Sequence, residues 1–342
     1  MTVGFTWNAN HAAHGVEGHP ERPERLEAVI ALLRACGLLD RAENIEPRAA
    51  TDEELSWVHR PDYIEQLGRT CASGGGWFDP DTYCLPGSCD AARAAAGACL
   101  AATDAVLSGD VRSAFAAVRP PGHHARPAQA MGFCLLNNVA LAAQHAQNRH
   151  GLERIAIVDI DVHHGNGTQD AFYDDPGVLY VSTHQHPFYP GTGRANETGA
   201  GAGAGTNVNI PLQAGSGDRE YALAFDQVVE PVVRRYRPQM LLVSCGFDAH
   251  FSDPLAGMSL SVDGYGTMAE RLLRLSEELC DGRLMFVLEG GYDLDAISWG
   301  VRRVLEVLLG EPPTPDPHGL LGPGPSPHVE PLLREVRALH GL

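Results

Sequence analysis

The segment Asp159-Ile160-Asp161-Val162-His163-His164-Gly165-Asn166-Gly167 sets two carboxylates and an imidazole at alternate positions, directly after the apolar run Arg154-Ile155-Ala156-Ile157-Val158. Such a β-branched run is expected of a central parallel strand, where side chains at i and i+2 share a face. Asp159, Asp161 and His163 therefore leave the strand on one side. Oxygen and nitrogen donors from Asp161 and His163 suit zinc, and a third protein ligand with an open position beside it would make the site catalytic rather than structural. A helix cap followed by a polar turn is the plainer alternative. Ionisable groups seldom cluster so tightly without a function, which favours the metal reading.

The elements that must complete such a site can be sought at other strand ends. Gln239-Met240-Leu241-Leu242-Val243-Ser244-Cys245 reads as a second buried strand, and Gly246-Phe247-Asp248 follows where open α/β sheets carry their ligands. Asp248 is the candidate third ligand. A third run, Leu284-Met285-Phe286-Val287-Leu288, leads into Glu289-Gly290-Gly291-Tyr292, whose glycines permit a sharp turn and close backbone approach. Tyr292 is expected to face the same crevice, although a lone tyrosine is more often a packing residue. A fourth run, Ala114-Phe115-Ala116-Ala117-Val118, precedes the rigid turn Arg119-Pro120-Pro121-Gly122-His123-His124. Taken alone, these histidines could be an exposed loop pair. At a strand end beside a metal they read as acid/base groups, because imidazole titrates near neutrality.

Together with Pro120-Pro121-Gly122-His123-His124-Ala125, Gly132-Phe133-Cys134, Asn137-Asn138, Pro190-Gly191-Thr192-Gly193, Gly246-Phe247-Asp248 and Glu289-Gly290-Gly291-Tyr292, the segment from Asp159 to Gly167 resembles the zinc-dependent histone deacetylase family. The resemblance includes the bacterial deacetylase-like amidohydrolases and the acetylpolyamine amidohydrolases of the same superfamily. It runs from Gly18-His19-Pro20-Glu21-Arg22-Pro23-Glu24-Arg25 to about Leu309, in the family's order. It implies an α/β, single-domain arginase/deacetylase fold with a central parallel sheet and helices on both faces. One Zn2+ per chain is implied on Asp161, His163 and Asp248. His124 resembles the general base, His123 its electrostatic companion, and Tyr292 the donor to the developing oxyanion. Asp159 matches the carboxylate partner of His123, and Asn166 the partner of His124. Class I members carry Asp where this chain has Asn166, so the chain leans toward class II and the related bacterial enzymes.

The resemblance also furnishes a tunnel. Phe133 and Tyr189 match an aromatic pair that sandwiches the substrate stem, with tyrosine here where phenylalanine is common. Gly132 would offer its carbonyl to the substrate N–H, Thr82 after Asp81 a contact at the rim, and Leu255 an apolar group at the mouth. Polyamine-selective members carry an acid near the position of Leu255, so acyl-lysine in a peptide or protein is the expected substrate. An acetylpolyamine or another acylated small amine is the alternative. A structural K+ is implied on main-chain oxygens matching Asp159, Asp161, His163, Ser182 and Thr183, with the side chains of Asp159 and Ser182; an all-oxygen set suits a hard cation. Arg25 matches an arginine that guides acetate outward, or is simply an exposed helix arginine.

Composition agrees with an enzyme of this kind. A formal charge of −18, from 43 acidic against 25 basic residues, disfavours nucleic-acid binding; it suits cationic partners, though an ordinary solvated acidic surface is the preferred explanation of the excess. Every basic residue is arginine, and no lysine occurs. The eight cysteines show no paired metal spacing, and neither a signal peptide nor a twenty-residue apolar span is apparent, which points to a reducing cytoplasm and away from a membrane. One large domain is expected over 1–310, with a homo-oligomer as an assembly it allows, followed by a Pro/Gly-rich extension over 311–342 with a final helix near 328–340. Amphipathic runs predict helices over 22–33, 91–107, 221–236 and 265–279. Two other readings compete: a dimanganese ureohydrolase, which needs more bridging carboxylates, and a silent binding module, which would not need His123, His124 and Tyr292 together.

Overall fold

The structure is a computed structural model that describes residues 2–319 and 328–342. Ten strands occur in it: β1 (Val3–Trp7), β2 (Glu43–Asn44), β3 (Gly76–Trp77), β4 (Tyr83–Cys84), β5 (Ser113–Ala117), β6 (Ile155–Asp159), β7 (Val178–Gln185), β8 (Asn207–Leu212), β9 (Met240–Cys245) and β10 (Leu284–Leu288). Strands β3 and β4 form a small antiparallel ribbon. The other eight form one sheet in the order β2-β1-β5-β10-β9-β6-β7-β8. Every neighbouring pair in it is parallel. Parallel strands need crossovers that cover both faces, which explains why β5, β6, β9 and β10 are apolar without alternation and buried throughout.

The two faces are distinct cores. Ala156 and Val158 of β6 join one cluster with the helices Glu24–Ala35, Val262–Cys280 and Leu294–Leu309. Ile155 and Ile157 join the other, with the helices Ser88–Ser108 and Asn138–His150. The period-two alternation of the strand thus sends successive side chains into opposite layers. The final helix, Glu330–His340, buries Leu333 and Val336 in the first of these clusters and packs against β8. The end of the expected extension is therefore continuous with the main core, while residues 320–327 of it lie outside the described residues.

One expected helix is broken. Residues 218–236 form Asp218–Ala224, a wide turn over Phe225–Val229, and Glu230–Tyr236. Pro231 lacks the N–H that a continuous helix would use, which is a physical reason for the change of winding just ahead of it.

The order β5-β10-β9-β6 is what assembles the site. It sets the carboxyl ends of four strands side by side. The segments that follow them carry His123 and His124, Tyr292, Asp248, and Asp161 with His163.

Candidate active site

Asp161, His163 and Asp248 meet as the tip geometry requires. All three are buried, and one ligand atom from each lies within 4.8 Å of the others. His163 Nδ1 is 3.2 Å from Asp161 Oδ1 and 3.2 Å from Asp248 Oδ2. The carboxylates are further held by backbone donors: Gly290 N–H to Asp161 Oδ2 at 2.8 Å, and Val162 N–H to Asp248 Oδ1 at 3.0 Å. A β-carbon on Gly290 would stand 2.0 Å from Asp248 Oδ2, so only glycine lets β10 come this close. Burial disfavours the His163 imidazolium, yet the two carboxylates outweigh it and push its pKa up to about 10. Two buried carboxylates that draw positive charge this strongly, with an imidazole between them, fit a divalent ion of the zinc type.

The two histidines of the β5 loop diverge. His123 Nδ1 lies 3.0 Å from Asp159 Oδ2, and His124 Nδ1 lies 2.8 Å from Asn166 Oδ1. Burial opposes charge on His123, but Asp161, Asp159 and Glu289 overcome it and raise the pKa to about 10. The hydrogen-bond partner of the His124 ring among the described residues is the neutral Asn166. Burial, then the neighbouring His123 and His163, drives its pKa well below the usual value. One imidazole is thus biased to hold a proton and the other to accept one.

A cavity of about 220 Å³ opens above this floor, lined by Asp81, His124, Gly132, Phe133, His163, Phe188, Tyr189, Leu255 and Tyr292. Phe133 meets Tyr292 edge to face at 5.7 Å, and Tyr189 meets His124 likewise at 5.2 Å. Gly132 and Phe133 both adopt positive φ, 56° and 67°. For phenylalanine that conformation is strained, and it is held where the loop turns its ring into the tunnel. A β-carbon on Gly132 would stand 2.4 Å from the His124 ring.

Thr82 does not reach the rim. The Asp79 carboxylate accepts the N–H groups of Asp81 and Thr82 at 3.1 and 2.6 Å, a local turn that points Thr82 inward. Its hydroxyl is fully buried and accepts the Phe133 N–H at 3.0 Å, and Asp81 takes the wall position instead. Arg25 is not an exposed helix arginine. It is buried, donates from Nε to Gly291 O and from Nη2 to Glu289 O, both at 2.6 Å, and lies 4.8 Å from the centroid of the Tyr292 ring. Asp159 and Ser182 are register partners across β6 and β7, and the Thr183 hydroxyl donates to Asp159 O at 3.3 Å, so three of the five expected potassium residues adjoin.

Sequence reading missed several contributors. Phe188 stacks on His163 at 5.4 Å, and its adjacency to Tyr189 was the available signal. Asp253 accepts Tyr292 N–H at 2.6 Å and Leu255 N–H at 2.9 Å, tying the cavity wall at Leu255 to the tip of β10. Burial, then the nearby Asp248, pushes its pKa up to about 7. Glu289 accepts the N–H groups of Gly122 and His123 at 2.7 and 3.1 Å, which fixes the histidine loop. No feature of the local sequence marks those last two.

A parallel sheet with these four tips and a carboxylate–imidazole–carboxylate floor defines an α/β metallohydrolase scaffold. The histone deacetylase domain matches residues 19–308. A probable deacetylase of Archaeoglobus fulgidus is 43% identical over 298 residues, 86% of this chain and 82% of that protein. A histone deacetylase-like amidohydrolase of Pseudomonas aeruginosa is 42% identical over 86% of this chain and 77% of its own length. The polyamine deacetylase HDAC10 of Homo sapiens is also 42% identical, over 86% of this chain but 45% of that protein. The crystal structure of the HDA15 HD domain superposes with a TM-score of 0.90 at 38% identity, covering 99% of this chain and 95% of that one. The chain belongs to the histone deacetylase family and has its arginase/deacetylase fold.

Proposed function

We propose that this enzyme removes acetyl or other acyl groups from Nε-acyl-lysine side chains, using one zinc ion held by Asp161, His163 and Asp248. The observation that carries the reading is the convergence of that ligand set with His124 and Tyr292 at the floor of one narrow apolar cavity. Bound there, zinc supplies Lewis acidity that polarises an acyl carbonyl and acidifies water. His124 Nε2 takes the proton of the attacking water and returns it to the leaving amine, with Asn166 holding the opposite nitrogen. His123, paired with Asp159, keeps a positive charge beside the reacting centre. The Tyr292 hydroxyl donates a hydrogen bond to the carbonyl oxygen as negative charge develops on it. Phe133, Phe188 and Tyr189 exclude water and grip the methylene stem, and the Gly132 carbonyl accepts the amide N–H. Asp159, Ser182 and Thr183 offer an oxygen-rich site for K+ beneath, and Arg25 braces the tip that carries Tyr292 and is placed to guide acetate.

Leu255 at the mouth favours acyl-lysine over acetylpolyamine, since no carboxylate stands at that position to meet a distal ammonium. Asp81, which also lines the cavity, supports the second reading, deacetylation of a cationic small amine. Side-by-side turnover of an acetyl-lysine peptide and N-acetylputrescine tests the choice. The peptide is expected to have the higher kcat/KM, and a clear preference for the polyamine reverses the assignment.

A further inference from the structure

A second cluster of metal-binding side chains stands apart from the catalytic residues. Asp104 projects from the helix Ser88–Ser108, and His145 and His150 from Asn138–His150. The two imidazoles aim the same nitrogen at one oxygen: His145 Nε2 is 2.6 Å and His150 Nε2 is 2.7 Å from Asp104 Oδ1. The three donor atoms lie within 4.8 Å of one another. We propose that Asp104, His145 and His150 form a second divalent-metal site that clips these two helices together.

The chemistry of the donors selects the ion. Two imidazole nitrogens and one carboxylate oxygen suit the borderline transition ions, Zn2+, Ni2+, Co2+ or Cu2+, and not Mg2+ or Ca2+. The His145 side chain is 4% exposed, against 26% for His150 and 46% for Asp104, so the cluster is a cup with one walled side and one side open to solvent. Solvent can therefore complete a tetrahedral shell around three protein ligands. His145 Nδ1 is buried with no hydrogen-bond partner. The Asp104 carboxylate, an acceptor only, takes an N–H from His145 Nε2; with Nδ1 unpartnered, the ring proton can move to Nδ1 and leave the Nε2 lone pair to a metal ion. His150 is the last residue of its helix, where the macrodipole favours positive charge.

The site has a built-in reporter, because the Trp57 ring lies 5.8 Å from His145. Titration of the zinc-loaded enzyme with Cu2+, followed by electron paramagnetic resonance and tryptophan fluorescence with retained zinc measured in parallel, tests the assignment. One further equivalent is expected to bind at micromolar concentration, with hyperfine splitting from two imidazole nitrogens and quenching that disappears in Trp57→Phe. His150→Ala and Asp104→Asn, both at partly exposed positions, should each lose this equivalent at least tenfold in affinity while deacetylation stays unchanged. No second equivalent in the unmodified enzyme overturns the proposal, and so does a second equivalent that survives in both variants.

Discussion

Tyr292 stands at the tip of β10, with Arg25 beside its ring and Asp253 on its backbone N–H, so its hydroxyl is held by two independent braces. A donor fixed in this way stabilises charge that appears only as the amide carbonyl is attacked, and removal of such a donor typically costs ~2.7–4 kcal/mol of barrier. Tyr292→Phe is accordingly expected to lower kcat by about 10²–10³-fold with bound zinc unchanged by elemental analysis. Retention of wild-type turnover by the metal-loaded variant would remove Tyr292 from the chemistry. The division between His123 and His124 follows from their surroundings: Asp161, Asp159 and Glu289 favour charge on His123, while burial and the neighbouring His123 and His163 disfavour it on His124.

At the scale of elements, the loop after β5 must be fixed to the layer of helices behind it, and His59 does this. Its Nε2 accepts the Asn137 N–H at 2.9 Å while Nδ1 faces Arg126 O at 3.1 Å. Asn137 in turn caps the helix Asn138–His150 through Ala140 N–H. Only the neutral ring satisfies both contacts, and burial lowers the His59 pKa from 6.5 to about 4. Because the folded value lies below the unfolded one, this stabilisation is fully present above pH 6.5 and is lost as pH falls toward 4. The stability gap between wild type and His59→Gln, measured by urea unfolding, should therefore narrow over that window by on the order of 3 kcal/mol. A gap independent of pH would show that the ring's charge state is irrelevant to holding the loop.

For the whole molecule, a net charge of −18 on a lysine-free chain predicts long-range attraction of a cationic substrate. Exposed charges are screened beyond about 10 Å at 0.1 M salt. KM for an arginine- and lysine-rich acetylated peptide should rise severalfold between about 0.05 and 0.5 M salt, with kcat little changed, whereas a neutral acetyl-lysine amide should be nearly insensitive. Equal salt dependence for both would place the effect at the catalytic floor rather than in the field of the surface. No described helix is long and apolar enough to cross a membrane.

The candidate site residues could be picked out in the chain because strand-end motifs are local: a period-two alternation put Asp159, Asp161 and His163 on one face, and glycines marked where the segment after β10 approaches. The four central strands were legible for the same reason, being short, apolar and β-rich. Convergence was not local. The order β5-β10-β9-β6 brings together segments more than a hundred residues apart, and only packing across the sheet reveals that Glu289 fixes the histidine loop, that Asp253 ties Leu255 to Tyr292, and that Arg25 is buried. Asp81 lines the cavity where Thr82 was expected, because one Asx turn decides which of two adjacent side chains faces it. Asp104, His145 and His150 carry no spacing that announces a site. They meet because two helices lie side by side on one face of the sheet, and tertiary contact alone determines that.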